Sequence, residues 1–238
     1  MDLSIIIPVF EERAKIARDV QAASAFLQSD RLAGEIIVVD DGSRDDTAAV
    51  AKNAKPAANV RLNVIHYDQN KGKGFAVRTG VVESQADYVM FADSGLCVPY
   101  LNALRGLSMI KSGECEIAHG SRKLPDSRIL QPQAWPRRLT AKVFRWLAMY
   151  WLRIPSFLTD TQCGFKIYRG EIARELYGEC LTNGFMFDVE IILRALRKGY
   201  RIREFPVEWT CDLDSRLSLT RSPQQVWREM RDLKKALA

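Results

Sequence analysis

The sequence contains no uninterrupted apolar stretch of the roughly 20 residues that a helix needs to cross a bilayer. The best candidate, residues 143–158, is interrupted by Arg145, Arg153 and Pro155. The chain also enters the apolar segment IIIPVF almost at once, without the basic flank and long apolar region of a signal peptide. These absences predict a protein with neither a membrane-spanning helix nor a secretory leader.

Histidine is scarce, and the cysteines are not paired in the sequence. The two histidines, His66 and His119, leave little material for a histidine-based triad or a His-rich metal site. The five cysteines are scattered and never spaced as CxxC, which argues against a disulfide framework and a zinc cluster. We therefore expect a reducing compartment, the cytoplasm.

Positive charge is in excess. The 238 residues (27.0 kDa) carry a formal charge of +6 and a pI of about 9.1, which favours an anionic partner: a nucleotide, a phosphorylated lipid, a membrane surface or nucleic acid. No recognised nucleic-acid-binding motif gathers this charge, so we expect no nucleic-acid partner. The length suits one α/β domain at residues 1–217, followed by a basic amphipathic helix at 218–238.

Apolar runs alternate with amphipathic segments along most of the chain. Strands are predicted at residues 3–10, 34–41, 60–67, 87–93, 116–121, 164–168 and 200–209. Helices are predicted at residues 11–29, 46–55, 74–85, 98–112, 135–152, 171–181, 188–198 and from 223 onward. A polar loop at 123–133 interrupts the alternation. The pattern is typical of an α/β fold with a mostly parallel central sheet flanked by helices.

Polar side chains follow several of the predicted strands. Asp40 and Asp41 end the second strand, Asp93 ends the fourth and Arg122 follows the fifth. The carboxyl ends of parallel strands meet at one edge, where ligands of open α/β sheets bind, so one crevice is expected there. Simple helix capping is the alternative for the second strand, since Ser43 and other cap residues follow it.

The segment NKGKGFAVRTG (residues 70–80) places Lys71, Lys73 and Arg78 beside two glycines at a helix start. Glycines allow close approach of the backbone, and free N–H groups with lysines suit a phosphate. The spacing is not that of a P-loop. A solvated basic turn is the alternative interpretation.

Together these segments resemble a known family. PVFEE, VVDDGSRDDT, NKGKGFAVRTG, the Asp93 stretch, GSR, DTQCGFK, FMFDVE and EFPVEW occur in the order found in inverting family 2 glycosyltransferases with the GT-A fold. The last motifs resemble more narrowly the dolichyl-phosphate glucosyltransferase and dolichol-phosphate mannose synthase branch. The resemblance covers about residues 3–217. It implies a UDP- or GDP-hexose donor (glucose or mannose), a polyprenyl phosphate acceptor (dolichyl or undecaprenyl) and Mg²⁺ or Mn²⁺.

The resemblance also implies roles for individual residues. Base and ribose would be held by a group that starts at the first strand: Pro8, Phe10, Glu12 and Asp41, with Asp40 beside them. Lys73 would lie near the nucleotide, and Asp93 would begin the metal-binding DxD motif. The phosphates would be met by Arg122, Arg137, Ser215 and Arg216. Asp160, Asp188 and Glu190 would lie on the acceptor side, where Asp188 is a catalytic candidate.

The sequence departs from the family pattern at two places. Glu11 stands where Asn is expected, and the DxD position has Asp93-Ser94-Gly95, without its second acid. Magnesium often keeps several waters, so Asp93 with the donor pyrophosphate could still hold it. We expect weaker metal binding or an altered donor choice.

Two other functions remain open at this point. A family 2 transferase with a hydroxyl acceptor would need a base, and Asp188 is the candidate; Asp188 and Glu190 could equally be ordinary acids at a helix start. The altered DxD motif would also fit a non-catalytic nucleotide-sugar-binding protein.

An aromatic and basic region at residues 135–158 has the composition of a helix that lies at a membrane interface. Trp146 and Trp151 are its central aromatics. Packing on the core is the alternative, and the C-terminal helix has the same two interpretations. We expect a peripheral protein at the cytoplasmic face of a membrane.

Overall fold

The computed structural model describes residues 1–131, 150–211, 229–231 and 233–235. The strands are β1 (Leu3–Val9), β2 (Gly34–Asp40), β3 (Val60–His66), β4 (Tyr88–Ala92), β5 (Ile117–Ser121), β6 (Arg128–Gln131), β7 (Phe165–Arg169), β8 (Ile202–Pro206) and β9 (Glu208–Thr210). The helices are α1 (Ile16–Ser29), α2 (Thr47–Asn53), α3 (Lys73–Glu83), α4 (Ala103–Lys111), α5 (Gly170–Gly178) and α6 (Phe187–Arg197), with a 3-10 turn at Tyr100–Asn102.

Seven strands form the central sheet, in the order β3-β2-β1-β4-β7-β5-β8. All pairings within it are parallel except the two made by β7, which runs antiparallel between β4 and β5. The predicted α/β class with a mostly parallel sheet is therefore confirmed. β1, β2, β4 and β5 end at the same edge, which we call the carboxyl edge.

The strands are apolar on both faces because helices cover both sides. One core cluster joins the sheet to α1, α2 and α4 through residues such as Val20, Ala51 and Leu107. A second cluster joins the opposite face to α3, α5 and α6 through residues such as Val77 and Ile191. β1 and β2 are buried along their whole length. This explains why their sequences are continuous apolar runs instead of alternating ones.

Three predictions of local structure were wrong. The predicted polar loop 123–133 contains β6, which pairs in parallel with β9, and the predicted strand 200–209 is divided into β8 and β9 on either side of Val207. The first helix begins at Ile16 instead of Glu11. Glu11 has φ +54°, outside the helical region, and its N–H donates to Ser43 Oγ at 2.7 Å.

Several predictions concern residues outside the described ranges. Most of the predicted helix 135–152, residues 212–217 and most of the C-terminal helix lie there, so the domain boundary remains a prediction. Residues 150–152 are helical. Within the described ranges, no helix combines the length and apolar character needed to cross a membrane.

Candidate functional site

The turn after β2 is held by Asp40. This side chain is fully buried; its Oδ1 accepts from Ser43 N at 3.1 Å and from Ser43 Oγ, and its Oδ2 lies 2.9 Å from His66 Nδ1. Asp45 accepts the N–H of Thr47, the first residue of α2, at 3.0 Å, whereas the N-cap residue itself, Asp46, makes no side-chain cap bond. The structure therefore uses Asp40 to brace the carboxyl edge from within.

Asp41 connects this turn to the glycine-rich segment. Its two carboxylate oxygens accept the N–H groups of Lys71 at 2.8 Å and Gly72 at 2.9 Å, and its carbonyl accepts from Asn70 Nδ2 at 3.0 Å. Burial raises the pKa of Asp41, although the bonds from the N–H groups of Lys71 and Gly72 oppose that rise. Two segments that are 30 residues apart in sequence thus form one wall of the site.

The glycines of this segment serve close packing of the chain against itself. A Cβ on Gly72 would lie 2.5 Å from the carbonyl oxygen of Asn183, and one on Gly74 would lie 2.6 Å from that of Thr182. Arg78 is bound to the same loop, through Cys180 O and through Asn183 Oδ1 at 3.0 Å. Arg78 is one of the three basic residues predicted to meet a phosphate. In the structure it holds the glycine-rich segment against the loop before α6.

Lys73 and Asp93 meet at the carboxyl edge. Lys73 Nζ lies 2.6 Å from Asp93 Oδ1, and the side chains are 20% and 31% exposed. Burial works to lower the pKa of Lys73, but the charges of Asp93 and Asp188 outweigh it, so the pKa is raised and the amine is protonated. The backbone N–H of Asp93 donates to Gly164 O at 2.8 Å. A Cβ on Gly164 would lie 2.0 Å from Asp93 Oδ2, so a larger residue at this position would force the carboxylate to move.

A second ion pair lies beneath the first. Lys166 Nζ donates to Asp188 Oδ1 at 2.5 Å and to Cys163 O at 2.7 Å; the paired side chains are 1% and 3% exposed. Burial raises the pKa of Asp188, and the ammonium groups of Lys166 and Lys73 offset part of that rise. Sequence analysis missed Lys166, although it ends the DTQCGFK motif, because nothing local indicates that β7 enters the sheet beside β4.

Glu190 binds backbone groups of the loop before α6. Its carboxylate accepts the N–H groups of Leu181 at 2.9 Å and Thr182 at 2.8 Å and pairs with Arg194 at 2.7 Å. Burial alone would raise the pKa of Glu190, but these bonds outweigh it and lower the pKa. Glu190 therefore shapes the loop that receives the glycine-rich segment.

Arg122 and Asp160 form a bidentate pair after β5. Arg122 Nε and Nη2 lie 2.6 Å and 2.7 Å from the two oxygens of Asp160, and the Arg122 N–H donates to Oδ2 at 3.0 Å. Burial would raise the pKa of Asp160, but the bonds and charge of Arg122 lower it to about 2. Glu204 accepts the N–H of Asp160 at 2.7 Å, and the Arg122 guanidinium carbon lies 5.3 Å from the ring centre of Trp209. Arg122 is thus held rigidly at the carboxyl edge.

The remaining predicted site residues fall into two groups. Pro8 is buried at the end of β1, Phe10 is half-buried after it, and the Glu12 carboxylate lies 3.4 Å from Lys15 Nζ. The second group, Arg137, Ser215 and Arg216, lies outside the described residues, and its predicted roles remain predictions.

The residues at the end of β4 do not form a resident metal site. Asp93 is the single acid of Asp93-Ser94-Gly95, and its carboxylate is paired with an ammonium group. Across the part of the chain that the structure describes, no three His, Cys, Asp or Glu side chains lie together as metal ligands would. Mg²⁺ or Mn²⁺ would find one carboxylate here, where such ions bind several oxygens.

Comparison with known proteins agrees with the fold. The family model described as glycosyl transferase family 2 matches residues 4–176. Glycosyltransferase AglD of Haloferax volcanii is 30% identical over 225 residues, which are 93% of this chain and 35% of AglD. Dolichyl-phosphate beta-glucosyltransferase of Dictyostelium discoideum is 30% identical over 220 residues, 87% of this chain and 66% of that protein. The chain thus spans about a third of the first relative and just under two thirds of the second.

A solved structure shares the architecture. Glucosyl-3-phosphoglycerate synthase from Mycobacterium tuberculosis, crystallised with Mn²⁺, UDP-glucose and phosphoglyceric acid, has a TM-score of 0.66 at 18% identity. The match covers 99% of this chain and 78% of the synthase. The predicted GT-A fold is therefore confirmed.

Proposed function

This protein belongs to glycosyl transferase family 2, and from that membership we propose that it moves a hexose, with inversion, from a nucleoside diphosphate sugar to a polyprenyl phosphate. The donor would be a UDP- or GDP-hexose carrying glucose or mannose. The relatives that are named dolichyl-phosphate beta-glucosyltransferases, at about 30% identity over most of this chain, support a lipid phosphate as the acceptor.

The environment of Asp188 is the observation that favours a phosphate acceptor over a hydroxyl acceptor. A hydroxyl acceptor needs a base to take its proton, and Asp188 is the acid that the sequence offers for this role. Its carboxylate is buried and bound to Lys166 at 2.5 Å, so an acceptor hydroxyl could reach it only by displacing that ammonium group. A phosphate monoester has a second pKa of about 6 and is already ionised at neutral pH, so it needs no base. We therefore assign Asp188 to positioning, through its pair with Lys166.

The proposed reaction is a single in-line displacement. An acceptor phosphate oxygen attacks the anomeric carbon and forms the new C–O bond, while the bond from that carbon to the donor β-phosphate oxygen breaks. The electron pair leaves with the nucleoside diphosphate, and no proton has to be transferred. Cations that are already held in place stabilise the charge that develops on the leaving group. Arg122, oriented by Asp160, and Lys73 supply such cations at the carboxyl edge.

The nucleotide would lie along the ends of β1 and β2. We propose that the half-buried Phe10 provides an apolar surface for the base, that the buried Pro8 supports the end of β1 before it, and that Glu12 and the wall built on Asp41 face base and ribose. Asp40 supports this wall from within the fold. Arg137, Ser215 and Arg216 would meet the two phosphates, as the family resemblance implies.

A divalent ion, which the family resemblance implies, would have to arrive with the donor diphosphate, because Asp93 alone does not form a resident site. The Mn²⁺ in the related synthase structure belongs to that protein. No step of the proposed reaction depends on such an ion.

A membrane surface is the second proposed partner, on the cytoplasmic side. A polyprenyl phosphate is presented at a membrane, and the net charge of +6 favours anionic lipid. Within the predicted interfacial region 135–158, Tyr150 is 78% exposed and Phe157 is 54% exposed. Trp151, by contrast, is partly buried against the core, and its ring centre lies 4.6 Å from Lys234 Nζ. The exposed aromatics are therefore the stronger candidates for lipid contact.

The test pairs two acceptors that differ only in the phosphate. UDP-glucose, UDP-GlcNAc, GDP-mannose and GDP-glucose are offered with a short polyprenyl phosphate or with the matching polyprenol, and glycolipid product is measured. We expect one donor to give product with the phosphate and none with the alcohol. Transfer to the alcohol or to a sugar hydroxyl at a comparable rate would favour the hydroxyl-acceptor function, and donor binding without any transfer would favour a binding protein.

A further inference from the structure

The loop after β4 has a glycine, Gly95, at the position where the DxD motif would have its second acid. Gly95 has φ +89°, a conformation that L side chains rarely adopt. Its N–H donates to Asp19 Oδ2 at 2.7 Å, and its carbonyl accepts from Arg18 Nη2 at 3.4 Å, so the loop is fastened to α1. A side chain at position 95 would therefore be strained in this loop conformation.

An ammonium group occupies the place beside the remaining acid. Lys73 is the first residue of α3, and its Nζ lies 2.6 Å from Asp93 Oδ1. The same Nζ lies 5.5 Å from the ring centre of Phe91 and 5.9 Å from that of Phe185, both within cation–π range. The two aromatic rings and the carboxylate hold the cation in place, while its 20% exposure leaves it accessible from the carboxyl edge.

A second, buried ion pair lies beside the same aromatic ring. Lys166 Nζ lies 5.2 Å from the ring centre of the same Phe91 and is bound to Asp188. The ammonium groups of two ion pairs thus lie over one ring, and the formal charges of the two pairs cancel. A diphosphate that takes the place of Asp93 beside Lys73 meets a cation that is already in position.

We propose that Lys73 supplies the charge that balances the donor diphosphate in this protein, so that binding of the nucleoside diphosphate does not require a divalent metal ion. The proposal rests on the proposed function, since it assumes that the site takes a nucleoside diphosphate sugar. A diphosphate oxygen competes with Asp93 for the Lys73 ammonium, and Asp93 turns toward the solvent side as the donor binds. Lys73 is then the group on which affinity depends in the absence of metal.

The test measures binding of UDP and GDP by calorimetry in EDTA, in Mg²⁺ and in Mn²⁺. For the wild type we expect the Kd of the preferred nucleotide in EDTA to lie within about threefold of its value in metal. Lys73→Met should weaken binding in EDTA by about tenfold to a hundredfold, the range for losing a charged hydrogen-bond partner. Lys73→Arg, which keeps the charge, should retain most of the metal-free affinity.

Lys111→Met is the matched control. Lys111 is also a lysine over an aromatic ring, 5.5 Å from the centre of Tyr88, but it lies at the end of α4 and away from the carboxyl edge. Its substitution should leave the Kd unchanged. Melting temperatures of all variants are recorded, and the wild-type titration in EDTA decides the question even if Lys73→Met does not fold.

The outcomes separate the two proposals. If EDTA abolishes binding and Mg²⁺ or Mn²⁺ restores it, the inference about Lys73 is overturned while the proposed function stands. Equal losses in Lys73→Met and Lys73→Arg, at unchanged melting temperature, would also overturn a role through charge. If neither UDP nor GDP binds under any condition, the proposed function itself fails.

Discussion

Replacing Asp160 with Asn tests the ion pair that orients Arg122. The fall in the pKa of Asp160 from 3.8 to about 2 corresponds to about 2.5 kcal/mol of folding free energy at neutral pH. Removing one partner of a buried pair costs about 3 to 5 kcal/mol, and the 22% exposure of Arg122 places this pair near the lower end. We expect Asp160→Asn to lower the free energy of unfolding by about 3 kcal/mol at pH 7.

The pH dependence has a definite sign. Because the folded-state pKa of Asp160 is lowered, its stabilisation is fully present above about pH 4 and is lost as the pH falls toward 2. Urea unfolding followed by fluorescence should therefore show a difference between wild type and variant that is constant from pH 7 to 5 and shrinks below pH 4. Glu208→Gln serves as the control, since it breaks an exposed pair with Arg128 at 3.4 Å and should change stability by under about 1 kcal/mol.

An equal loss in both variants, or a difference for Asp160→Asn that stays the same at pH 3 and pH 7, would refute the reasoning. The first result would mean that the buried geometry adds nothing to the pair. The second would mean that the effect does not come from the ionised carboxylate.

Two further predictions concern close packing and lipid contact. Gly164→Ala places a Cβ 2.0 Å from the Asp93 carboxylate, which displaces this side chain and the Lys73 cation paired with it, so kcat/KM should fall by about a hundredfold. Gly178→Ala, whose Cβ meets nothing within 4 Å, should keep wild-type activity in the same assay. Replacing both Tyr150 and Phe157 with Ser should weaken sedimentation of the protein with phosphatidylglycerol vesicles. Val82→Ser, which replaces an exposed apolar residue on α3, should not. Equal sedimentation of the wild type and both variants would refute contact of Tyr150 and Phe157 with lipid.

Local sequence was enough to predict most strands and the edge where they deliver polar side chains. The strands β1 and β2 are continuous apolar runs, and such runs, alternating with helices, require a covered parallel sheet. From this followed the prediction that Asp40, Asp41, Asp93 and Arg122 lie at one edge of the sheet, and the strands that they end or follow, β2, β4 and β5, do end at the same edge.

The pairings between distant segments were not predictable from local pattern. β7 enters the sheet between β4 and β5 in the antiparallel direction, and β6 pairs with β9 across about 80 residues of sequence. Periodicity indicates that a segment is a strand but does not indicate its neighbour. The pair of Lys166 and Asp188 depends on that placement of β7, and so it was missed.

The roles of individual acidic residues could not be predicted from the sequence either. Asp40 and Asp41 are adjacent in sequence, yet one braces the interior through His66 and Ser43, and the other holds the N–H groups of Lys71 and Gly72. Their partners come from β3 and from the segment before α3. Two adjacent carboxylates therefore predict a polar edge of the sheet, but they do not indicate which of the two residues supports the fold.

The direct test of the central claim is the ratio of kcat/KM for a short polyprenyl phosphate to that for the matching polyprenol, measured with the preferred donor. We expect activity with the phosphate and no detectable product with the alcohol, because Asp188 is bound to Lys166 and only an acceptor that brings its own charge can attack. A comparable kcat/KM for the alcohol would contradict this mechanism.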